Sequence, residues 1–161
     1  MSETSPNSAE ATGPAPVQIS VHAQYVRDFS FESPNAPQIF AQGATPPALD
    51  MGVNVQTRNL EPHVFEVMLL LKLEAKVADK TAFIVELAYG GVFGLPEMPE
   101  EQVKLFLLVE APRLLFPFAR NIVAGAVRDG GFPQVLINPI DFAAMYMQQH
   151  GAMAQAPAGS A

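Results

Sequence analysis

HVFEVMLLLKLEAKVADKTAFIVELAYGGVF, residues 63–93, contains two long alternating patterns separated by a short polar turn. In the first pattern apolar residues fill every second position from Phe65 to Val77, and charged residues lie between them at Glu66, Lys72, Glu74 and Lys76. The second pattern places Ile84, Glu86 and Ala88 opposite a face formed by Phe83, Val85, Leu87, Tyr89 and Phe93. A period of two residues is typical of β-strands. The stretch therefore predicts an antiparallel hairpin that turns at residues 78–80 and bends near Gly90-Gly91.

The composition of the chain limits the classes of protein to which it can belong. With 161 residues, 49% of them hydrophobic, the chain is long enough for one domain with a substantial core. The formal net charge of -7 argues against a nucleic-acid binder, which needs clustered Lys and Arg. Because there is no cysteine, disulfides, thiolate nucleophiles and cysteine-based zinc sites are excluded. The three histidines lack metal-ligand spacing, so we expect neither a metal nor a cofactor.

Both ends of the chain have the composition of disordered tails. Residues 1–16 are rich in Ser, Pro, Ala and Thr, and residues 151–161 are rich in Ala and Gly. The N-terminal stretch lacks the basic and apolar regions of a signal peptide, and no run is apolar enough for a membrane span. We expect a single domain over residues 17–150 with a disordered tail on either side.

Two more strands are predicted before the hairpin. Alternation from Val17 to Glu32 gives a long strand whose polar face carries Asp28 and Glu32, with Tyr25, Phe29 and Phe31 on its apolar face. Prolines at 34 and 37 end this strand. Residues 38–49 are predicted to be an ordered crossover loop, and alternation around Met51 predicts the second strand.

The periodicity becomes helical after residue 98. Pro99-Glu100-Glu101 is a good helix start, and the helix is expected to run to Asp129 with a break or kink at Pro112 and Pro117. A stripe with i, i+4 spacing follows Leu114, Phe118 and Ile122 to Gly125 or Ala126, and Gly130-Gly131 ends the helix. Asn138 is predicted to cap a second helix that includes Met147. The order is α+β, a four-stranded antiparallel sheet followed by two C-terminal helices.

Several strings in this chain resemble the SecB family of protein-export chaperones. The resemblance covers residues 18–149 and is carried by FSFESPNAP at 29–37, AFIVEL at 82–87, GGVF at 90–93, LFPFAR at 115–120 and FPQ at 132–134. It implies the same α+β fold assembled as a dimer of dimers, a homotetramer. It further implies a cytoplasmic, ATP-independent holdase that binds unfolded secretory precursors, keeps them competent for translocation, and delivers them to the SecA motor of the Sec export pathway.

The resemblance also implies roles for individual residues. The positions that dock SecA on the outer sheet face correspond here to Asp28, Glu32, Ile84 and Glu86. Client binding would use long apolar grooves, for which the candidates are Phe83, Phe142, Leu49, Met51 and Tyr146. Subunit pairing would involve Val85, Leu87 and Tyr89. Many family members have a tryptophan in the crossover loop, where this chain has the sequence GATPP at 43–47.

Other interpretations of the same residues remain open from the sequence. The acidic residues could form a solvated sheet face, and Phe83 and Phe142 could be core residues. A small thioesterase-like enzyme would need a catalytic pair, for which Glu100, Glu101 or His63 could be nominated. A generic adaptor would bind folded partners only. We expect no enzymatic activity, no binding of nucleic acid and no insertion into membranes.

Overall fold

The computed structural model describes residues 18–43 and 45–154, which form one antiparallel sheet with helices on one face. The strands are β1 (Ser20–Glu32), β2 (Ala48–Glu61), β3 (Val64–Val77) and β4 (Lys80–Gly94). Their order in the sheet is β1-β4-β3-β2, so the predicted hairpin is central and β1 and β2 are the edges. The predicted four-stranded α+β fold is confirmed at this level.

The central hairpin turns where the sequence predicts. Val77 pairs with Lys80, and the two residues between them, Ala78 and Asp79, have positive φ of 49° and 63°. Two successive residues with positive φ are typical of the two-residue turns that match the twist of antiparallel strands. The alternation is confirmed as well, because residues 67, 69, 71, 73 and 75 of β3 are all buried on the helix side.

Strand β1 departs from the predicted alternation at two irregularities in its pairing with β4, between Val21 and Ala23 and between Val26 and Asp28. An extra residue in one strand shifts every later side chain to the opposite face. Tyr25 therefore pairs with Gly90 on the face that carries Asp28, whereas Phe29 and Phe31 pair with residues of the helix-facing row. The prediction that Tyr25 shares the apolar face with Phe29 and Phe31 was wrong.

One long helical segment follows the sheet. It consists of α1 (Glu100–Leu105), a π-helical stretch (Phe106–Glu110) and α2 (Ala111–Asp129). The helix widens just before Pro112, where the missing backbone N–H removes a normal hydrogen bond. Pro117 lies inside α2 and the helix continues past it, so of the predicted break or kink the break does not occur there.

The two glycines after α2 end the helix as predicted. Gly131 has a φ of 94°, its N–H donates to the carbonyl of Arg128, and the Phe132 N–H donates to the carbonyl of Val127. This pair of bonds forms a Schellman motif. The next helix, α3 (Phe142–Ala154), begins later than predicted, because the Asp141 carboxylate accepts the Ala144 N–H at 2.9 Å and acts as the N-cap instead of Asn138.

The core lies between the sheet and α2. The side of α2 that faces the sheet carries a buried stripe with i, i+4 spacing, formed by Ala111, Leu115, Ala119, Val123 and Val127. The stripe noted in the sequence is offset by one position toward the N-terminus, at 114 and 118 instead of 115 and 119, and Leu114 and Phe118 are 47% and 52% exposed. Helix α2 therefore has two apolar stripes, of which one packs on the sheet and one faces away from it.

The predicted N-terminal tail and residues 155–161 lie outside the described part of the chain, and α3 includes residues 151–154 of the predicted C-terminal tail. Within the described residues, no helix has both the length and the apolar character required to cross a membrane.

Candidate functional sites

The four predicted docking residues lie together on the sheet face opposite the helices, which is the outer face of the sheet. Glu32 pairs with Ile84, and Ser30, two residues before it, pairs with Glu86. Asp28 follows two residues further along β1, opposite Ala88. Asp28, Glu32 and Glu86 are exposed and Ile84 is half-buried. The four residues thus occupy adjacent rows on β1 and β4.

A shallow depression of about 400 Å³ lies beside these acidic residues. Leu70 and Ala88 are directly paired across β3 and β4 in this depression, and Gly52 leaves it open on the β2 side. Lys72 borders it and forms a 3.5 Å ion pair with Glu86 between two exposed side chains. An apolar floor with a charged rim is the usual anatomy of a protein-binding surface.

A buried carboxylate lies at the other end of the outer face, and the sequence analysis did not single it out. Glu66 is only 8% exposed, and it accepts a hydrogen bond from the Tyr25 hydroxyl. Arg58 Nη2 lies 3.2 Å from Glu66 Oε2, and Arg27 Nη1 lies 3.5 Å from Glu66 Oε1. The four residues come from β1, β2 and β3, so the cluster ties three strands together.

The cluster shifts the ionisation of its members. The Tyr25 hydrogen bond lowers the pKa of Glu66 below its ordinary value, against the effect of burial, and Arg58 and Arg27 lower it further. Burial raises the pKa of Tyr25, and the bond to Glu66 adds to this increase. Glu66 is therefore a carboxylate and Tyr25 a neutral donor at pH 7.

Gly90 makes room for this cluster. A Cβ at Gly90 would lie 2.8 Å from Cζ of Tyr25 and 2.9 Å from Cε of Met68. Any larger residue would displace the ring that bonds to Glu66. The close approach at Gly90 is therefore made by Tyr25 of β1 in the same chain.

A second candidate site lies on the helix side, where the crossover loop meets the loop after α2. A cleft of about 470 Å³ is bordered there by apolar side chains from both loops and from the end of β3, among them Ile39, Phe40, Pro46, Pro47, Val77 and Phe132. Phe40 is 49% exposed, and its ring centroid lies 5.0 Å from that of Phe132. The sequence analysis noted the prolines but missed Phe40, whose signal was a large aromatic residue within a Pro- and Gly-containing loop.

The predicted client-binding residues fall into two groups. Leu49 and Met51 are 47% and 39% exposed on edge strand β2, and Tyr146 is half-buried on α3. Phe83 and Phe142 are fully buried within the chain. Phe83 nevertheless contacts the cleft wall from behind, because its ring centroid lies 4.9 Å from that of Phe132. Phe142 packs edge-on against Phe116 of α2.

The residues predicted for subunit pairing point toward α2. Val85, Leu87 and Tyr89 are all buried within the single chain. Tyr89 stacks on Phe118 with a centroid distance of 6.3 Å, and its hydroxyl donates to Gln24 Oε1 at 3.2 Å. The exposed apolar surface in this region includes Leu114 and Phe118 of α2 and Val26 and Phe29 of β1.

The residues nominated for an enzyme are not assembled into a catalytic group. Glu100 and Glu101 pair with Lys104 on α1, at 3.7 and 4.0 Å. His63 lies in the turn between β2 and β3, with a φ of 63°. Among residues 18–43 and 45–154, no group of three or more His, Asp or Glu side chains is arranged to hold a metal ion.

Comparisons with known proteins place the chain in a family. The family model described as preprotein translocase subunit SecB matches residues 12–153. The protein-export protein SecB of Rhizorhabdus wittichii is 48% identical over 148 residues, which cover 89% of each chain. The protein of the same name from Rhodospirillum centenum is 52% identical over 130 residues, which cover 80% of this chain and 77% of the relative.

The fold has a counterpart among solved structures. A SecB-like chaperone from Mycobacterium tuberculosis, Rv1957, in complex with a ChAD peptide from the antitoxin HigA1, superposes with a TM-score of 0.63 at 14% identity. The superposition covers 76% of this chain and 90% of that one. With both the family match and the relatives covering most of its length, the chain belongs to the SecB family of protein-export chaperones.

Proposed function

We propose that this chain is a cytoplasmic, ATP-independent holdase that binds unfolded secretory precursors and transfers them to SecA. The proposal rests on one observation, which is that two different candidate binding surfaces lie on opposite sides of the sheet. An apolar cleft opens on the helix side, and an acidic surface with an apolar floor covers the outer face. A chaperone that hands over its client needs both surfaces to be accessible at once.

Client binding is assigned to the cleft at the crossover loop and to the exposed apolar side chains of β2. Unfolded chains offer apolar side chains in no fixed sequence, so a suitable site is apolar and gains affinity by burying area rather than by specific hydrogen bonds. Phe40, Leu49 and Met51 are exposed residues of this type. Tyr146 extends the surface onto α3, whereas Phe83 and Phe142 support it from within the core.

SecA docking is assigned to Asp28, Glu32, Ile84 and Glu86. Acidic side chains around an apolar residue favour a partner segment that is basic and partly apolar, because charge speeds the encounter and burial slows dissociation. The depression at Leu70 and Ala88 gives such a segment an apolar surface to cover. The solvated-face interpretation explains the acidic residues but gives no role to the half-buried Ile84.

The assembly is proposed to be a dimer of dimers that covers the outward stripe of α2. Leu114 and Phe118 are too exposed and too apolar to be explained by the single chain. Edge strand β1 lies beside them with Val26 and Phe29, which are 47% and 42% exposed. The interface would be supported by buried residues of β4 that pack beneath α2, namely Val85, Leu87 and Tyr89.

The test of the chaperone function is the refolding rate of a denatured, signal-bearing precursor, measured with and without the protein and without ATP. We expect folding to be arrested, and we expect the addition of SecA with ATP and translocation-competent membranes to release the precursor. Unchanged refolding would contradict the holdase function. Hydrolysis of acyl thioesters above background would support the enzyme alternative, and binding restricted to folded partners would support an adaptor.

Analytical ultracentrifugation of F118D tests the assembly. The substitution places a charge on the outward stripe and is expected to convert tetramers into smaller species while each subunit stays folded by circular dichroism. L136D is the matched control, because Leu136 is 88% exposed and lies outside the stripe. Tetramers that persist in F118D would show that the stripe is not the interface.

A further inference from the structure

The charges of the outer face are ordered along the strands. The acidic end contains Glu32 and Glu74, which both pair with Ile84, and also Asp50, the partner of Glu74 on β2. Lys72 and Lys76 pair with Glu86 and Glu74 and offset part of this negative charge. Further along, Leu70 pairs with Ala88 and Met68 with Gly90, and the other end carries Arg27 and Arg58 around Glu66. The face therefore runs from acidic to basic over the length of the sheet.

Among the contacts of residues 18–43 and 45–154, the arginine end has hydrogen-bonding capacity that Glu66 does not use. Arg27 and Arg58 each present a guanidinium group with five donors, and both share the one carboxylate of Glu66. Glu66 offsets only one of the two positive charges. The side chains of Arg27 and Arg58 are 57% and 60% exposed, so donors of both remain accessible to a ligand. Glu66 holds the two groups in place because it is itself fixed by Tyr25.

We propose that Arg27 and Arg58 form a binding site for a carboxylate on the segment that docks on the outer face. The inference rests on the proposed docking function and specifies its partner further. Guanidinium groups bind carboxylates with well-defined geometry, and pairing with a fixed acid preorganises them for a second one. The docked segment is therefore basic and partly apolar near Glu86, and acidic near Arg27 and Arg58.

The register of the sheet fixes the spacing of these charges. Glu66 lies six residues from Lys72 on β3, and Lys72 pairs with Glu86. Six residues of a strand span about 20 Å. An extended segment covers that distance in about six residues. A segment bound in the reverse direction would place its basic residues on the arginines, so the arrangement selects direction as well as composition.

Two synthetic peptides test this site. Both contain a pair of lysines followed by leucines, and about six positions after the lysines one has glutamate and the other has glutamine. Their affinities are measured by calorimetry for the wild-type tetramer, for R27Q/R58Q and for E86K. We expect the glutamate peptide to bind the wild-type protein about fivefold more tightly than the glutamine peptide, as for a well-placed surface ion pair. The preference should disappear in R27Q/R58Q, with the affinity for the glutamine peptide unchanged.

The outcomes separate this inference from the docking function on which it rests. If E86K weakens both peptides but the wild-type protein does not distinguish them, docking stands and the carboxylate site is wrong. If E86K leaves both affinities unchanged, the assignment of docking to the outer face fails, and the carboxylate site fails with it.

A second variant keeps the test valid if R27Q/R58Q does not fold. That double substitution leaves Glu66 without its cationic partners, whereas R27Q/R58Q/E66Q replaces the buried charge with a neutral amide that Tyr25 can still donate to. The triple variant must also lose the preference for glutamate. A preference retained in the folded triple variant would overturn the proposal.

Discussion

The two faces of the sheet are built from alternate residues of the same strands, yet they differ in burial. The inner face presents Phe83, Val85 and Leu87 to α2, and all three are buried in the single chain. The outer face presents Ile84, Glu86 and Ala88, none of which is buried. Neighbouring residues of one strand therefore lie either in the core or on the surface proposed for docking. This difference allows stability and docking to be altered separately by substitutions one residue apart.

The largest effect is expected from the pair F83A and I84A. Truncating a fully buried phenylalanine leaves a cavity, so F83A should lower the free energy of unfolding by about 4 kcal/mol. I84A, on the half-buried outer position, should lower it by less than about 1 kcal/mol and should weaken SecA binding instead. Urea unfolding and SecA titration measure the two effects. Equal destabilisation by both variants would remove the distinction between the faces.

The inner face of β3 and β4 could be predicted from sequence because a period of two residues directly specifies which side chains share a face. The sequence did not predict the bulges in β1, because pairing with β4 determines where an extra residue is accommodated. Nor did it predict the burial of Glu66, which alternates like the exposed Lys72. Tyr25, 41 residues earlier in the chain, is the residue whose hydrogen bond fixes Glu66.

Helix α2 is a second case in which the periodicity of the sequence does not specify how the element packs. Both of its apolar stripes have i, i+4 spacing, so periodicity alone could not show which of them packs on the sheet. The rotation of the helix is set by contacts such as that of Leu115 with the Gly91 region, where an added Cβ would lie 2.9 Å from Leu115 Cδ2. Alternation placed Asp28 with Glu32, and Ile84 with Glu86, because it is regular at those positions, and the pairing of β1 with β4 brings the two pairs together.

Glu66 is buried on the outer face, as is Met68, so it is expected to contribute to stability although the face is otherwise mostly exposed. E66Q is expected to lower the free energy of unfolding by about 2 kcal/mol at pH 7, because charged hydrogen bonds become neutral ones. The pKa of Glu66 is lowered by folding, so its contribution is fully present above its ordinary value of 4.5 and is lost as pH falls through the lower folded value.

The difference between wild-type and E66Q stability should therefore narrow below pH 4.5, which urea unfolding across pH can measure. E61Q is the matched control at an exposed glutamate of β2 and should change stability by less than about 0.5 kcal/mol. A difference between wild type and E66Q that stays constant from pH 7 to pH 3 would contradict the role of the ionised carboxylate.

A smaller effect is expected from E86K, which reverses one charge of the docking surface. SecA binding should weaken about tenfold, which corresponds to about 1.4 kcal/mol, while arrest of precursor refolding is unchanged. E97K is the control, because Glu97 is an exposed acid in the loop after β4 and lies off the outer face. Loss of both activities in E86K would mean that the residue supports the fold or that the two surfaces are not independent.

The smallest effect is expected from salt, which should distinguish SecA docking from client holding without any substitution. Salt screens exposed charges, so raising ionic strength from about 0.05 to about 0.3 M should weaken SecA docking about threefold. Client holding is proposed to depend on apolar burial at the cleft, so it should not weaken over the same range. The docking response should be smaller in E86K, because one of the charges that attracts a basic segment has been reversed. If docking and holding weakened equally with salt, charge would govern both surfaces. The assignment of charge-dependent docking to the outer face and of apolar client holding to the cleft would then be wrong.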